Sequence, residues 1–170
     1  MSITMHSASV PIFVRTLSNI DSWFDKAEAH AAAKKFDTAV YLNSRLAPDM
    51  LVFSKQIQIA CDTVKFCVAR LAGVEGPKFE DKETTLAELR ERIKATIDYV
   101  KSVPAAQIDG SEEKEITIPR RDGSMIMKGE AYLKHFALPN FFFHVSMAYA
   151  LLRHNGVELG KMDYLGAPKT

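Results

Sequence analysis

The 170-residue sequence predicts an all-α fold, a four-helix bundle, interrupted by one short β-hairpin inserted before the last helix. Three observations carry that expectation. Four segments repeat apolar residues at spacings of three and four, glycine, proline or capping residues stand at their ends, and one stretch alternates as a strand does.

The first segment runs Phe13, Leu17, Ile20, Phe24, Ala27 and Ala31, the seam of a long helix over roughly residues 9 to 34. Pro11 suits its first turn, where a missing N–H costs little. A short helical turn is expected within Asp37 to Arg45, and Ala47-Pro48-Asp49 marks entry to the second long helix. That helix spans Met50 to Leu71, with Phe53, Ile57, Ala60, Val64 and Leu71 near one face, and Gly73 is placed to cap it. Thr85 and Glu88 form a capping box ahead of the third helix, whose apolar side is Leu86, Leu89, Ile93, Ile97 and Val100. Glu88, Arg90, Glu91, Arg92 and Lys94 are expected to clothe its outer side.

Residues 115–119 and 124–127 read as two strands joined across Arg120-Arg121-Asp122-Gly123, with Asp-Gly as the turn signal. Two strands are marginal alone in water, so this hairpin must pack on the bundle or on a partner. The fourth helix begins near Gly129, breaks or restarts at Leu138-Pro139-Asn140, and continues from Phe141 to Leu152. Asn155-Gly156 ends it. The tail to Thr170, with Gly160, Gly166 and Pro168, is expected to be coil laid against the bundle. The length and the absence of repeats fit one domain over residues 1–170.

Lys plus Arg number 22 against 21 Asp plus Glu, a net charge of +1, which argues against a dedicated nucleic-acid surface. No uninterrupted apolar run is long enough for a membrane span, and the first ten residues lack a secretory pattern. Cys61 and Cys67 lie on one helix, about 120° apart in direction and about 9 Å apart in rise, so they cannot pair with each other. Reduced thiols and a cytoplasmic location are the expectation.

Among the histidines, His6, His30 and His135 read as surface groups, and His154 as a group at a helix C-terminus. His144 is different, because it stands inside the most apolar helix. Asn140 lies one turn before it, and on the second helix Gln58 and Asp62 share a face. If the second and fourth helices are neighbours, Gln58, Asp62, Asn140 and His144 converge on one ligand pocket. Its polar groups would be satisfied by a hydrogen-bond network or by a metal held through His144 and Asp62. No phosphate loop, Gly-x-Ser-x-Gly elbow, Cys-x-x-Cys pair or Glu-x-x-His pair is present.

Ala47-Pro48-Asp49-Met50-Leu51, Gln56-Ile57-Gln58-Ile59-Ala60-Cys61-Asp62, Ala137-Leu138-Pro139-Asn140-Phe141, Phe143-His144 and Leu152-Arg153-His154-Asn155-Gly156-Val157 together resemble an uncharacterised bacterial family of the DinB-like superfamily. The resemblance covers nearly the whole chain. It implies a bundle in the order up-down-down-up with long crossovers, often a homodimer. In better-known members it implies a divalent metal held by three histidines, one on the second helix and two, spaced four apart, on the fourth. Here Thr63 follows Asp62, and Asn140 and Ala148 flank His144 at that spacing, so one of the three ligands remains. The resulting expectation is a bundle with an altered pocket around His144 that binds a small molecule or is structural. The alternative the resemblance implies is a thiol transferase or hydrolase dependent on zinc or nickel; the residues themselves dictate no cofactor and leave open whether the chain is an enzyme.

Overall fold

Helix α1, Val10–Lys34, buries all six of its predicted seam residues, with Pro11 in its first turn. After the short α2, Ala39–Leu42, helix α3 spans Phe53–Ala72 and buries Phe53, Ile57, Ala60, Val64 and Leu71. Gly73 closes it in the left-handed conformation at φ 75°, as a cap there requires. Helix α4, Leu86–Ser102, opens on the capping box: the Glu88 N–H donates to the Thr85 hydroxyl at 3.1 Å, and the Thr85 N–H donates back to the Glu88 carboxylate at 3.1 Å. These features belong to a computed structural model that describes residues 3–120 and 122–166.

A short α5, Ala105–Ile108, leads to strands β1, Glu115–Arg120, and β2, Gly123–Lys128, paired antiparallel from Glu115↔Lys128 to Arg120↔Gly123. The hairpin lies where expected; Arg121 of its turn falls outside the described residues. Ile116 and Ile118 point into the core, so the hairpin packs on the bundle. The chain then turns tightly at Gly129, where an added Cβ would stand 1.9 Å from the Ser111 carbonyl oxygen. Only glycine fits there.

The last long segment restarts as an α-helix at Leu138, as one of the two expectations had it, but without a break in the chain's helical course. Instead α6, Gly129–Tyr132, passes through a π-helical turn, Leu133–Ala137, into α7, Leu138–His154. The Leu138 N–H bonds to Leu133, five residues back, so the widened turn absorbs the proline that an α-helical ladder would reject. The tail is also not all coil. Helix α8, Lys161–Leu165, lies on α1, with the Trp23 indole N–H donating to the Asp163 carbonyl at 3.0 Å and Tyr164 stacked on Trp23. Residues 167–170, including Pro168, fall outside the described residues.

Helix α3 is the central element, packing on α7 and on α4, while α1 packs against α4 and meets α7 through Phe13 and Phe141. No helix among the described residues is long and apolar enough to cross a membrane. His30 is not a plain surface group: it is half-buried and shares a 2.6 Å hydrogen bond with the Tyr41 hydroxyl.

Candidate functional site: the flanks of helix α3

The predicted neighbours α3 and α7 do pack together, but their polar residues pair differently from the expectation. His144 Nδ1 lies 2.7 Å from Gln56 Oε1, and the Asn140 amide donates to Thr63 Oγ1 at 2.7 Å. Neither reaches Asp62 or Gln58. The reason is helical phase. Gln56 and Thr63 are seven residues apart, close to two full turns, and share the α7-facing side, whereas Gln58 and Asp62 are rotated from Gln56 by about 200° and about 240°. The single four-residue pocket is therefore divided into separate contacts.

The Gln56–His144 pair also defines a protonation state. Gln56 donates its amide to the Leu51 carbonyl at 3.1 Å, which leaves Oε1 as the acceptor facing the ring. His144 must then carry its proton on Nδ1 and keep its lone pair on Nε2. Burial, with the residue 7% exposed, pushes its pKa below the ordinary value and favours the neutral ring.

Toward α4, Asp62 belongs to an ion network. Its Oδ1 accepts from Arg92 Nη2 at 2.9 Å and from Lys65 Nζ at 2.8 Å. Arg92 also holds Glu83 and Asp81 at 2.9 Å each and donates to the Glu80 carbonyl at 3.2 Å, while Gln58 donates to Glu83 at 2.8 Å. Lys65 Nζ sits between the faces of Phe66 and Phe79, 4.4 and 4.5 Å from their centroids. Arg92 and Lys65 are 4% and 1% exposed, so Arg92 is not the surface residue its amphipathic helix suggested. Burial alone would raise the pKa of Glu83, but hydrogen bonds from Arg92, its own backbone and Gln58 hold the carboxyl below its usual range. Two buried cations facing three carboxylates satisfy the desolvation requirement that either sign alone would violate.

Between the α7-facing seam and the α4-facing network lies a cleft of about 190 Å³. It is lined by Asp62, Thr63, Phe66 and Arg70 of α3, Ile118 of β1, Tyr132 of α6 and Phe136 of the π-turn. Phe66 and Arg70 follow Asp62 at successive spacings of four and so share its flank. Arg70 Nη1 donates to the Tyr132 hydroxyl at 3.0 Å, and its guanidinium stands 5.3 Å from the Phe66 centroid and 5.9 Å from that of Tyr132. Burial pushes the Tyr132 phenol up to about 12, so it remains protonated. Sequence reasoning missed Arg70, Tyr132 and Phe136; the four-residue stripe from Gln58 to Arg70 was the one signal that could have extended the site along α3.

These residues do not fit the three-histidine metal site that the resemblance implied. His144 offers one ring nitrogen, its seam neighbours Gln56, Thr63 and Asn140 are neutral, and Asp62 pairs with Lys65 and Arg92 and not with His144. Among the described residues no three His, Cys, Asp or Glu side chains gather closely enough to hold an ion. The cysteines do not supply a thiolate either: both are fully buried, and burial pushes each thiol up to about 12.

The mostly helical fold with one antiparallel hairpin ahead of α6 is that of a DinB-like protein, as its similarity to a solved member shows. The chain belongs to the family described as Domain of unknown function (DUF1993), which matches residues 5–165. It is similar to a solved DinB family member protein from Shewanella denitrificans, at 46% identity and a TM-score of 0.92, over 97% of this chain and 93% of that one. No curated protein matches.

Proposed function

We propose that this DinB-like protein is a small-molecule-binding module whose working pocket is the cleft along α3. The observation that carries this reading is a cleft with aromatic walls in which Arg70 keeps N–H groups unspent. Along the α3–α7 seam, His144 pairs with Gln56 and Asn140 with Thr63. In the cleft, Arg70 spends one guanidinium N–H on Tyr132, and its side chain has no other hydrogen-bond partner among the described residues. Both cationic contacts of Asp62 fall on Oδ1, leaving Oδ2 without one. Aromatic walls with a few convergent polar groups are the usual make-up of a ligand site, and π-turns recur at such sites. A larger hollow of about 540 Å³ beside Phe79 and Arg92 fits less well. Its carboxylates are mostly engaged already, Glu80 by Lys82, Glu83 by Arg92 and Glu88 by the α4 cap.

In this reading Asp62 remains a site residue, Asn140 supports the cleft wall through Thr63, and His144 and Gln58 hold the helices on either side. A fragment screen followed by amide and aromatic NMR tests it. Shifts should concentrate at Phe66, Arg70, Tyr132 and Phe136; ligands that perturb only the His144 seam or the Arg92 hollow would overturn the choice of cleft.

The metal-dependent thiol transferase or hydrolase remains the competing reading, on the strength of His144 Nε2 and the family. Metal analysis of tag-free protein separates the two. We expect no stoichiometric zinc or nickel and no thermal stabilisation by either ion; stoichiometric metal that disappears in His144→Ala would replace our reading with that one. The homodimer and the up-down-down-up helix order implied by the resemblance belong to the same proposal. Light scattering at micromolar protein should give twice the chain mass, and a crystal structure tests the helix order.

A further inference from the structure

We propose that the ligand class of the α3 cleft is a short zwitterion with its charges at opposite ends, an ω-amino carboxylate or a close analogue. This rests on the small-molecule reading above and adds its chemistry. The two polar ends of the cleft present different groups, a guanidinium at one and an ion-paired carboxylate at the other. At one end is Arg70, flanked by the Phe66 and Tyr132 rings, with Nη1 occupied by Tyr132 and its remaining N–H groups without a partner among the described residues. A planar guanidinium positioned in this way accepts a carboxylate through charge-assisted hydrogen bonds.

At the other end is Asp62. Lys65 and Arg92 converge on its Oδ1 and hold the side chain in place, and Oδ2 is left over on a residue that lines the cleft. That oxygen can only accept, so it selects an ammonium or another donor. The Thr63 hydroxyl beside it already accepts from Asn140 and keeps its own proton to donate.

Asp62 and Arg70 are eight residues apart on α3, about 12 Å along its axis, with Phe66 halfway. Phe66, Phe136 and Ile118 provide apolar surface between the ends. A ligand charged at one end only would leave unused either the remaining Arg70 N–H groups or the second Asp62 oxygen. A ligand with both charges on one carbon could not reach both groups. The space of about 190 Å³ suits a compound the size of 6-aminohexanoate.

Isothermal titration calorimetry with four probes tests the class: 6-aminohexanoate, hexanoate, hexylamine and 1-hexanol. We expect 6-aminohexanoate to bind about tenfold or more tightly than any of the other three, since each end gains a charge-assisted hydrogen bond. In Arg70→Gln its affinity should fall to that of hexylamine, while hexylamine binding is unchanged. Asp62→Asn should remove the ammonium preference in the same way, and because Asp62 also holds Arg92 its fold is checked by circular dichroism. The probe series on the unaltered protein does not depend on either variant. Equal binding of hexanoate or hexylamine and 6-aminohexanoate would overturn the zwitterion and leave the small-molecule site standing. So would failure of all four probes while screened fragments still perturb the cleft. If neither probes nor fragments perturb it, both readings fail.

Discussion

His144 is a neutral imidazole in a buried seam, with its Nδ1 proton donated to Gln56. Its pKa in the folded chain is held below the ordinary 6.5 by burial, so between the folded and unfolded values the unfolded chain binds the extra proton. The stabilising contribution is complete above about pH 6.5 and is lost as pH falls toward the folded-state value. Urea unfolding near pH 7.5 and near pH 5 should show wild type losing more stability on acidification than His144→Gln. Equal losses would show that the ring is not the titrating group. Arg92 makes a different kind of contribution. Removing it in Arg92→Met leaves Asp62, Asp81 and Glu83 without their shared cation, and a cost of about 3 kcal/mol is expected in urea unfolding. A change below about 1 kcal/mol would mean that these partly exposed carboxylates are satisfied by water instead.

At the scale of the elements, the ends matter as much as the faces. Thr85 caps α4 through Glu88, and the cap is exposed, so Thr85→Ala should cost about 1 kcal/mol without disturbing the core. The same urea measurement checks it, and a neutral result would mean that the Thr84 contacts to Glu88 suffice. The π-turn is the element with the largest consequence for the site. By inserting one wider turn before Pro139 it keeps the α6–α7 segment continuous while setting Phe136 and Tyr132 opposite Phe66 and Arg70.

For the molecule as a whole, the hairpin acts as the cover of the cleft and has no stability of its own. Ile116 and Ile118 are buried against the bundle, and Ile118 closes one side of the site. Ile116→Ala should cost about 3 kcal/mol, lowering one cooperative unfolding transition shared by helices and hairpin. Two separate transitions by near- and far-ultraviolet circular dichroism would show that the hairpin folds apart and that residues 1–170 are not one cooperative domain.

The four long helices, their caps, the Asp-Gly hairpin and the apolar seams were legible in the residues alone, because each depends on neighbours within one or two turns. Gly73, the Thr85–Glu88 box and the six-residue seam of α1 all took the roles their spacing indicated. The site was legible only in part. Asp62, Asn140 and His144 do lie on the two central helices, but spacing along one helix says nothing about its rotation against another. That rotation gave His144 to Gln56 and Asn140 to Thr63, and turned Asp62 toward Arg92. It also buried Arg92, which its amphipathic helix placed on the outer side, by bringing Asp62, 30 residues away, alongside it. The residues alone were enough for the four long helices and the hairpin, to within a few positions at their ends, but not for α5, the π-turn or α8. Which polar groups meet was settled by tertiary packing, since that choice depends on the phase and contact of helices that are distant in the chain.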